Sequence, residues 1–459
     1  MRSAAVPSVP GGRAADARGH GIGFGEATRV WAQIGLLSFG GPAGQIALMH
    51  RMLVDERRWF GERRFLHALN YCMLLPGPEA QQLATYFGWL LHGVRGGLVA
   101  GSLFVLPGFV LILALSLVYA GHGDTAAVEA VFYGIKPAVL AIVAYAVVRI
   151  GSRVLRNGTL LGLAAAAFVA IFFLDVPFPL IVAGAAVAGW LGGRRRPDAF
   201  AGALAEDADG DGDAPRVRPS LRRGAGVLAL GLVLWWAPVA ALALFLGRGS
   251  VYVQEGTFFS VVALVSFGGA YAVLAFVAQE AVQTYGWVTP GEMLDGLGMA
   301  ETTPGPLIMV VQFVGFMGAY RFADGLDPLV AGVAGAVLVT WVTFVPCFLW
   351  IFLGAPYVEY LRGRRGLSAA LSGVTAAVVG VLLNLALWFA LHVVFEEVGE
   401  RRAGPVRLYE PDLGSVDPVA AALAAGAVAL VVWRRWPVLR TLAVSTAAGA
   451  AHFLAGVAG

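Results

Sequence analysis

Four short runs of glycine and proline interrupt segments that are otherwise apolar, and these runs are where the chain could bind a ligand. Ser38-Phe39-Gly40-Gly41-Pro42 and Pro76-Gly77-Pro78 lie in the first half; Ser266-Phe267-Gly268-Gly269 and Thr303-Pro304-Gly305-Pro306 lie in the second. Proline removes a backbone donor and clashes with the preceding turn, while glycine permits the resulting kink. A broken helix at membrane depth is tolerated only where it is buried in protein or lines a polar cavity. Its freed N-terminus exposes unpaired N–H groups and a positive dipole end, which suits an anion. Proline favours the first helical position, so Pro42 and Pro78 are expected to start second half-helices aimed at a substrate. Pro306 does the same in the second half, where Ala270 stands in place of Pro42. A packing kink is the plainer alternative. Gln45, Gln81, Gln82, Gln312, Thr302 and Thr303 add neutral donors that an oxyanion could use.

Three ionisable residues in or beside apolar segments stand out. Lys136 is the only lysine of the chain, since the other basic residues are arginine, and it falls inside an apolar stretch. An intramembrane charge marks a pathway or a buried pair, or else a side chain that snorkels to the interface. Glu79 and Glu301 flank the two Pro-Gly-Pro runs. Burial raises a carboxyl pKa toward neutrality, so either could carry a proton, pair with arginine or cap a half-helix. The stretch 51–66, with Trp59, Phe60 and five arginines, reads as an interfacial amphipathic segment.

The elements that position these residues are apolar helices. Of 459 residues, 58% are hydrophobic and 13% charged, too few charges for the surface of a soluble protein this long. A net charge of +3 gives no reason to expect nucleic acid as a partner; the bilayer is the expected one. Cys72 and Cys347 lie in apolar runs and read as packing residues, and no Cys/His spacing suggests a metal site or another cofactor. Thirteen apolar segments can be drawn, six before and seven after a polar stretch at 194–223. That stretch reads as a flexible cytoplasmic linker, and residues 1–25 read as a disordered tail. Ser38-Phe39-Gly40-Gly41, Trp59 and Pro76-Gly77-Pro78 recur 228 residues later, and Pro107 and Gly134 recur as Pro346 and Gly373 at 239. The chain is therefore read as a duplication, with repeats at 26–193 and 224–459.

Arginines fill 51–64, whereas the equivalent stretch 281–292 has no basic residue. Cytoplasmic loops are enriched in basic residues, so the copies are expected to face opposite ways. Thirteen full spans would put the five arginines of 51–64 outside. The conflict disappears if 26–48 and 66–92 are re-entrant hairpins broken at their Gly/Pro runs, with Arg95, Arg362, Arg364, Arg365, Arg434 and Arg435 all inside. The expected fold class is thus all-α: a polytopic membrane protein of two inverted-topology repeats with Gly/Pro-broken, re-entrant helices.

The run from Ser38 to Ala47, with Trp59 and Leu75-Pro76-Gly77-Pro78, resembles the signature of chromate ion transporters, in the long-chain two-domain form. Ser266 to Leu274 with Thr303 to Pro306 is similar to the C-terminal half of that family. The resemblance implies chromate export across the cytoplasmic membrane of a bacterium, driven by the proton gradient or the membrane potential. It implies motif residues Gly40, Gly41, Pro42, Pro76, Gly77, Pro78, Gly268, Gly269, Pro304, Gly305 and Pro306. The whole expected site adds Ser38, Gln45, Gln82, Lys136, Ser266 and Thr303. Sulfate, also a tetrahedral dianion, is the nearest alternative cargo and an anion channel the alternative mechanism. No nucleotide loop or nucleophile–base pair points to an enzyme, and assembly as a homodimer stays open.

Overall fold

The computed structural model describes residues 21–123, 125–200, 220–267, 270–323, 325–355 and 365–458. Gly268, Gly269, Arg362 and Arg364, most of the N-terminal tail and most of the linker lie outside the described residues. Among the described residues the regular structure is helical apart from one small hairpin, and six helices are long and apolar enough to cross a membrane.

Each of the four interrupted segments is broken at its glycine/proline run. In the first half, α1 (Phe24–Leu37) stops at Ser38 and α2 (Gly41–His50) restarts after Gly40. Helix α3 (Glu62–Cys72) stops before Pro76, and α4 (Glu79–His122) restarts after Pro78. Helix α4 is itself folded back at His92 and Gly93, whose dihedrals are not helical. Gly88 and Gly96 face each other across the fold, the Gly88 site also meeting the Ala100 side chain, so 79–91 and 94–122 run antiparallel. Helices α5 (Ala126–Val154), α6 (Gly158–Phe172) and α7 (Phe178–Arg195) complete this half.

The second half opens with α8 (Leu221–Phe245) and repeats the scheme. Helix α9 (Val251–Val265) is followed by α10 (Ala270–Gln279). Helix α11 (Pro290–Thr302) is followed by a short 3-10 turn and α12 (Val310–Arg321), and then by α13 (Pro328–Gly354). Helix α14 (Arg365–Val394) leads to an antiparallel hairpin of β1 (Val398–Ala403) and β2 (Val406–Pro411). Helices α15 (Pro418–Val428) and α16 (Val438–Ala458) end the chain.

Contacts at the helix ends show that the broken segments are re-entrant. The carbonyl of Ile22, before α1, meets the His92 ring at 3.0 Å, and His50, at the end of α2, meets Glu62 at 2.5 Å. Phe60 and Phe65 both pack on Phe87, one turn before His92. The pairs α1–α2 and α3–α4 therefore begin and end on one face. From there, 94–122 runs roughly 43 Å at the helical rise, more than a bilayer core. At its far end the Tyr320 hydroxyl donates to the Ala120 carbonyl at 3.4 Å. Glu292 in the first turn of α11 there holds Arg321 at the end of α12 at 2.8 Å, and Arg321 also donates to the Trp287 carbonyl. The second pair of hairpins thus enters from the opposite face. The two copies are inverted.

The faces differ in charge. The first carries Arg51, Arg57, Arg58, Arg63, Arg64 and Arg95, with Arg57 stacked over Trp59 and Arg64 over Phe60. That geometry fits the interfacial reading of 51–66. The second carries the β hairpin, where buried Arg407 reaches Asp175 at 2.8 Å, Gln283 at 3.2 Å and the Ile171 carbonyl at 2.9 Å. These contacts bring the α6–α7 loop and the end of α10 under the hairpin.

Candidate functional site

The four breaks meet one another in the interior. The Gly305 N–H donates to the Ser38 carbonyl and the Gly77 N–H donates to the Ser266 carbonyl, each at 2.9 Å. Ser38 and Ser266 are repeat equivalents, as are Gly77 and Gly305, so one bond is the two-fold image of the other. The contacts next to these bonds repeat the symmetry. Gly305 packs on Gly108 of α4, and Gly77 packs on Cys347 of α13; these two partners are equivalent at the 239 offset. Gly108 is the midpoint of 94–122, which places the junction halfway through the protein.

Backbone conformation explains the residue types. Gly77 (φ 121°) and Gly305 (φ 103°) occupy the region that side chains avoid. A methyl group on Gly77 would also fall 2.8 Å from the Cys347 sulfur and the Gln82 amide nitrogen. The positions of the prolines follow the expectation closely. Pro42 is in the first turn of α2, Pro78 immediately precedes α4, and Pro306 immediately precedes the 3-10 turn Leu307–Met309.

These mid-depth helix starts lack side-chain caps, as do the starts of α1, α3, α5, α7 and α9. The N-termini of α2, α4 and the Leu307–Met309 turn have no side-chain hydrogen bond. In contrast, Thr289 and Glu292 form a capping box on α11, and Asp327 caps α13. No side chain caps the first N–H groups of α2 and α4, which is the arrangement an anion could use. Glu79 is the first residue of α4, where its charge suits the helix dipole and competes for the same ground.

The side chains divide differently from the sequence reading. Ser38 Oγ and Ser266 Oγ each donate to the carbonyl four residues back at 2.5 Å, so their protons are spent on the helices and not on a ligand. Thr302 and Thr303 are likewise turned to local carbonyls. Gln45 Nε2 donates to the Gly305 carbonyl at 2.5 Å and Gln82 Nε2 to the Pro76 carbonyl at 2.7 Å, so both brace the breaks. The amide oxygens of Gln45, Gln81, Gln82 and Gln312 have no partner among the described residues, although each residue is at most 1% exposed. Buried acceptors of this kind ask for water or a ligand that brings protons. Glu301 accepts from the Tyr271 hydroxyl at 2.6 Å, and that hydroxyl lies beside Gly41. Lys136 is not at the junction: its ammonium is 3.6 Å from Asp295, whose other oxygen accepts from Tyr119 at 2.9 Å. Asp295, Tyr119 and Tyr271 were missed in the sequence. An acid in the apolar run 293–319, six residues before Glu301, was the available signal for Asp295.

Inverted hairpins broken at mid-depth, meeting across a pseudo-two-fold axis inside a bundle of spanning helices, define a multi-pass transporter of the broken-helix class. The chain belongs to the chromate transporter family, whose model matches residues 25–190 and 253–452. It is 35% identical to a chromate transport protein of Pseudomonas aeruginosa, over 76% of this chain and 77% of that one. It is 28% identical to a chromate transport protein of Cupriavidus metallidurans, over 78% and 80%. A probable chromate transport protein of Synechococcus elongatus is 29% identical over 78% and 82%. No solved structure matches the chain. Family and helices together place it in a bacterial cytoplasmic membrane as a multi-pass protein.

Proposed function

We propose that the chain exports chromate, binding the dianion where the four breaks converge. The observation that carries this reading is the pairing of uncapped mid-depth helix starts at α2 and α4 with the reciprocal bonds Gly77–Ser266 and Gly305–Ser38. An oxyanion held by backbone N–H groups needs no charged side chain, and the breaks supply such groups in an interior position. Gly40 and Gly41 supply donors of the first repeat, and Pro42, Pro76, Pro78, Pro304 and Pro306 shape the breaks. Gly77 and Gly305, whose N–H groups are bonded to Ser266 and Ser38, fix the junction beside Thr303. Gly268 and Gly269 enter as motif residues outside the described residues. The repeats are taken as 26–193 and 224–459, and the arginine-rich face as cytoplasmic. Alternating access follows from one set of hairpins rocking against the other. Glu301, bonded to Tyr271 beside Gly41, is the better placed of the two acids to couple a proton to the anion. Glu79 is the other.

Chromate and sulfate flux into inverted vesicles, with and without a proton gradient, tests this. Saturable chromate uptake that collapses with the gradient is the expected result. Uptake of sulfate alone overturns the cargo, and non-saturating flux indifferent to the gradient overturns the carrier mechanism in favour of a channel.

A further inference from the structure

Lys136, Asp295 and Tyr119 come from α5, α11 and α4, so the charge pair joins the two inverted copies. The Asp295 side chain is 4% exposed and that of Lys136 is 32% exposed, beside Gly291 at the start of α11. The Glu292–Arg321 pair lies one layer nearer the same face. Burying a carboxylate to meet an ammonium gains little stability over apolar packing, so stability is a poor reason for the pair. The contact is also loose. At 3.6 Å it exceeds hydrogen-bond reach, and Asp295 Oδ1 has no hydrogen-bond partner among the described residues. It is a coulombic contact that can open without breaking a hydrogen bond to the lysine. Finally, the repeat does not duplicate it. The equivalents of Lys136 and Asp295 are Thr375 and His67, and a threonine supplies no ammonium. The pair therefore stands at one side of the junction and has no counterpart at the other.

We propose that Lys136 and Asp295, steadied by Tyr119, are a latch between the repeats at the face opposite the arginine-rich one, and that it opens once in each transport cycle. Both are positioning residues that hold α11, and with it the Thr303–Pro306 break, against α5. The proposal rests on the transporter reading and is independent of which oxyanion is carried.

Ser116, one turn deeper than Tyr119 on α4 and fully buried, is a reporter for opening. The full chain carrying Ser116→Cys is reconstituted in liposomes and exposed to an impermeant maleimide, and the labelled peptide is identified by mass spectrometry. Lys136→Met and Asp295→Asn are each expected to raise the labelling rate about tenfold, a usual size for coupling between sites. Both are also expected to lower net chromate flux. The exchanged variant, Lys136→Asp with Asp295→Lys, is expected to return labelling toward the original rate. Unchanged labelling in both single variants overturns the latch, and so does an exchanged variant that labels as fast as the singles. If the unaltered chain carries neither chromate nor sulfate while labelling still responds to the pair, the latch stands and the cargo assignment falls.

Discussion

Gly77 and Gly305 tie backbone geometry to transport most directly. Each combines a left-handed φ with a backbone contact to the other repeat, and each N–H is spent on a serine carbonyl across the junction. Gly77→Ala and Gly305→Ala should each cost about 1–3 kcal/mol, the usual range for a strained backbone position. Thermal unfolding in detergent measures this, and chromate flux should fall in parallel. Gly226→Ala is the control, because nothing lies within 4 Å of that site on α8. It should be neutral or slightly stabilising, by up to about 1 kcal/mol. Gln45→Met removes the donor to the Gly305 carbonyl at 2.5 Å and should cost about 1–2 kcal/mol. At this scale glycine and proline were legible because their backbone demands are local. The partners of Lys136 and Glu301 were not. Asp295 and Tyr271 come from other helices, and only the fold decides that Lys136 meets Asp295 and not the junction.

Among the elements, the breaks and the fold-back at His92–Gly93 could be read because apolar runs stop where the backbone must turn. The β hairpin could not. It is short and charged, and its alternation of Val406 and Leu408 is brief beside the helical runs. Its anchor is Arg407, 2% exposed, which neutralises Asp175 and satisfies carbonyls at the end of α6. Arg407→Met leaves those acceptors open and should weaken docking of the hairpin by about 1.5–3 kcal/mol. Limited proteolysis between Val398 and Pro411 should then speed up by at least tenfold, while the spanning helices stay protected. Equal protection in both forms would mean that the hairpin is held by its strand pairing and by Tyr409, whose ring lies under the guanidinium.

For the whole molecule the question is whether the two copies face opposite ways, and charge and geometry answer it independently. Basic residues crowd 51–64 and are missing from 281–292. The helix ends say the same thing without reference to charge, since 79–91 ends at His92, beside the start of α1, while its repeat equivalent α12 ends near Ala120, at opposite ends of 94–122. Glu56, in the segment after α2, corresponds to Thr284, in the segment after α10, and Gly61 immediately precedes α3. Gly61→Cys and Thr284→Cys, both at exposed sites, should therefore label from opposite sides. With the arginine-rich face cytoplasmic, an impermeant maleimide should modify Gly61→Cys in inverted vesicles only and Thr284→Cys in right-side-out vesicles only. Thirteen full spans predict external labelling at Gly61, because 66–92 would then cross the membrane. Parallel repeats predict labelling of both from one side. Inversion matters for mechanism because a junction built from two opposed hairpins can close toward one face as it opens toward the other. The reciprocal bonds at Gly77 and Gly305 are where such a motion would pivot.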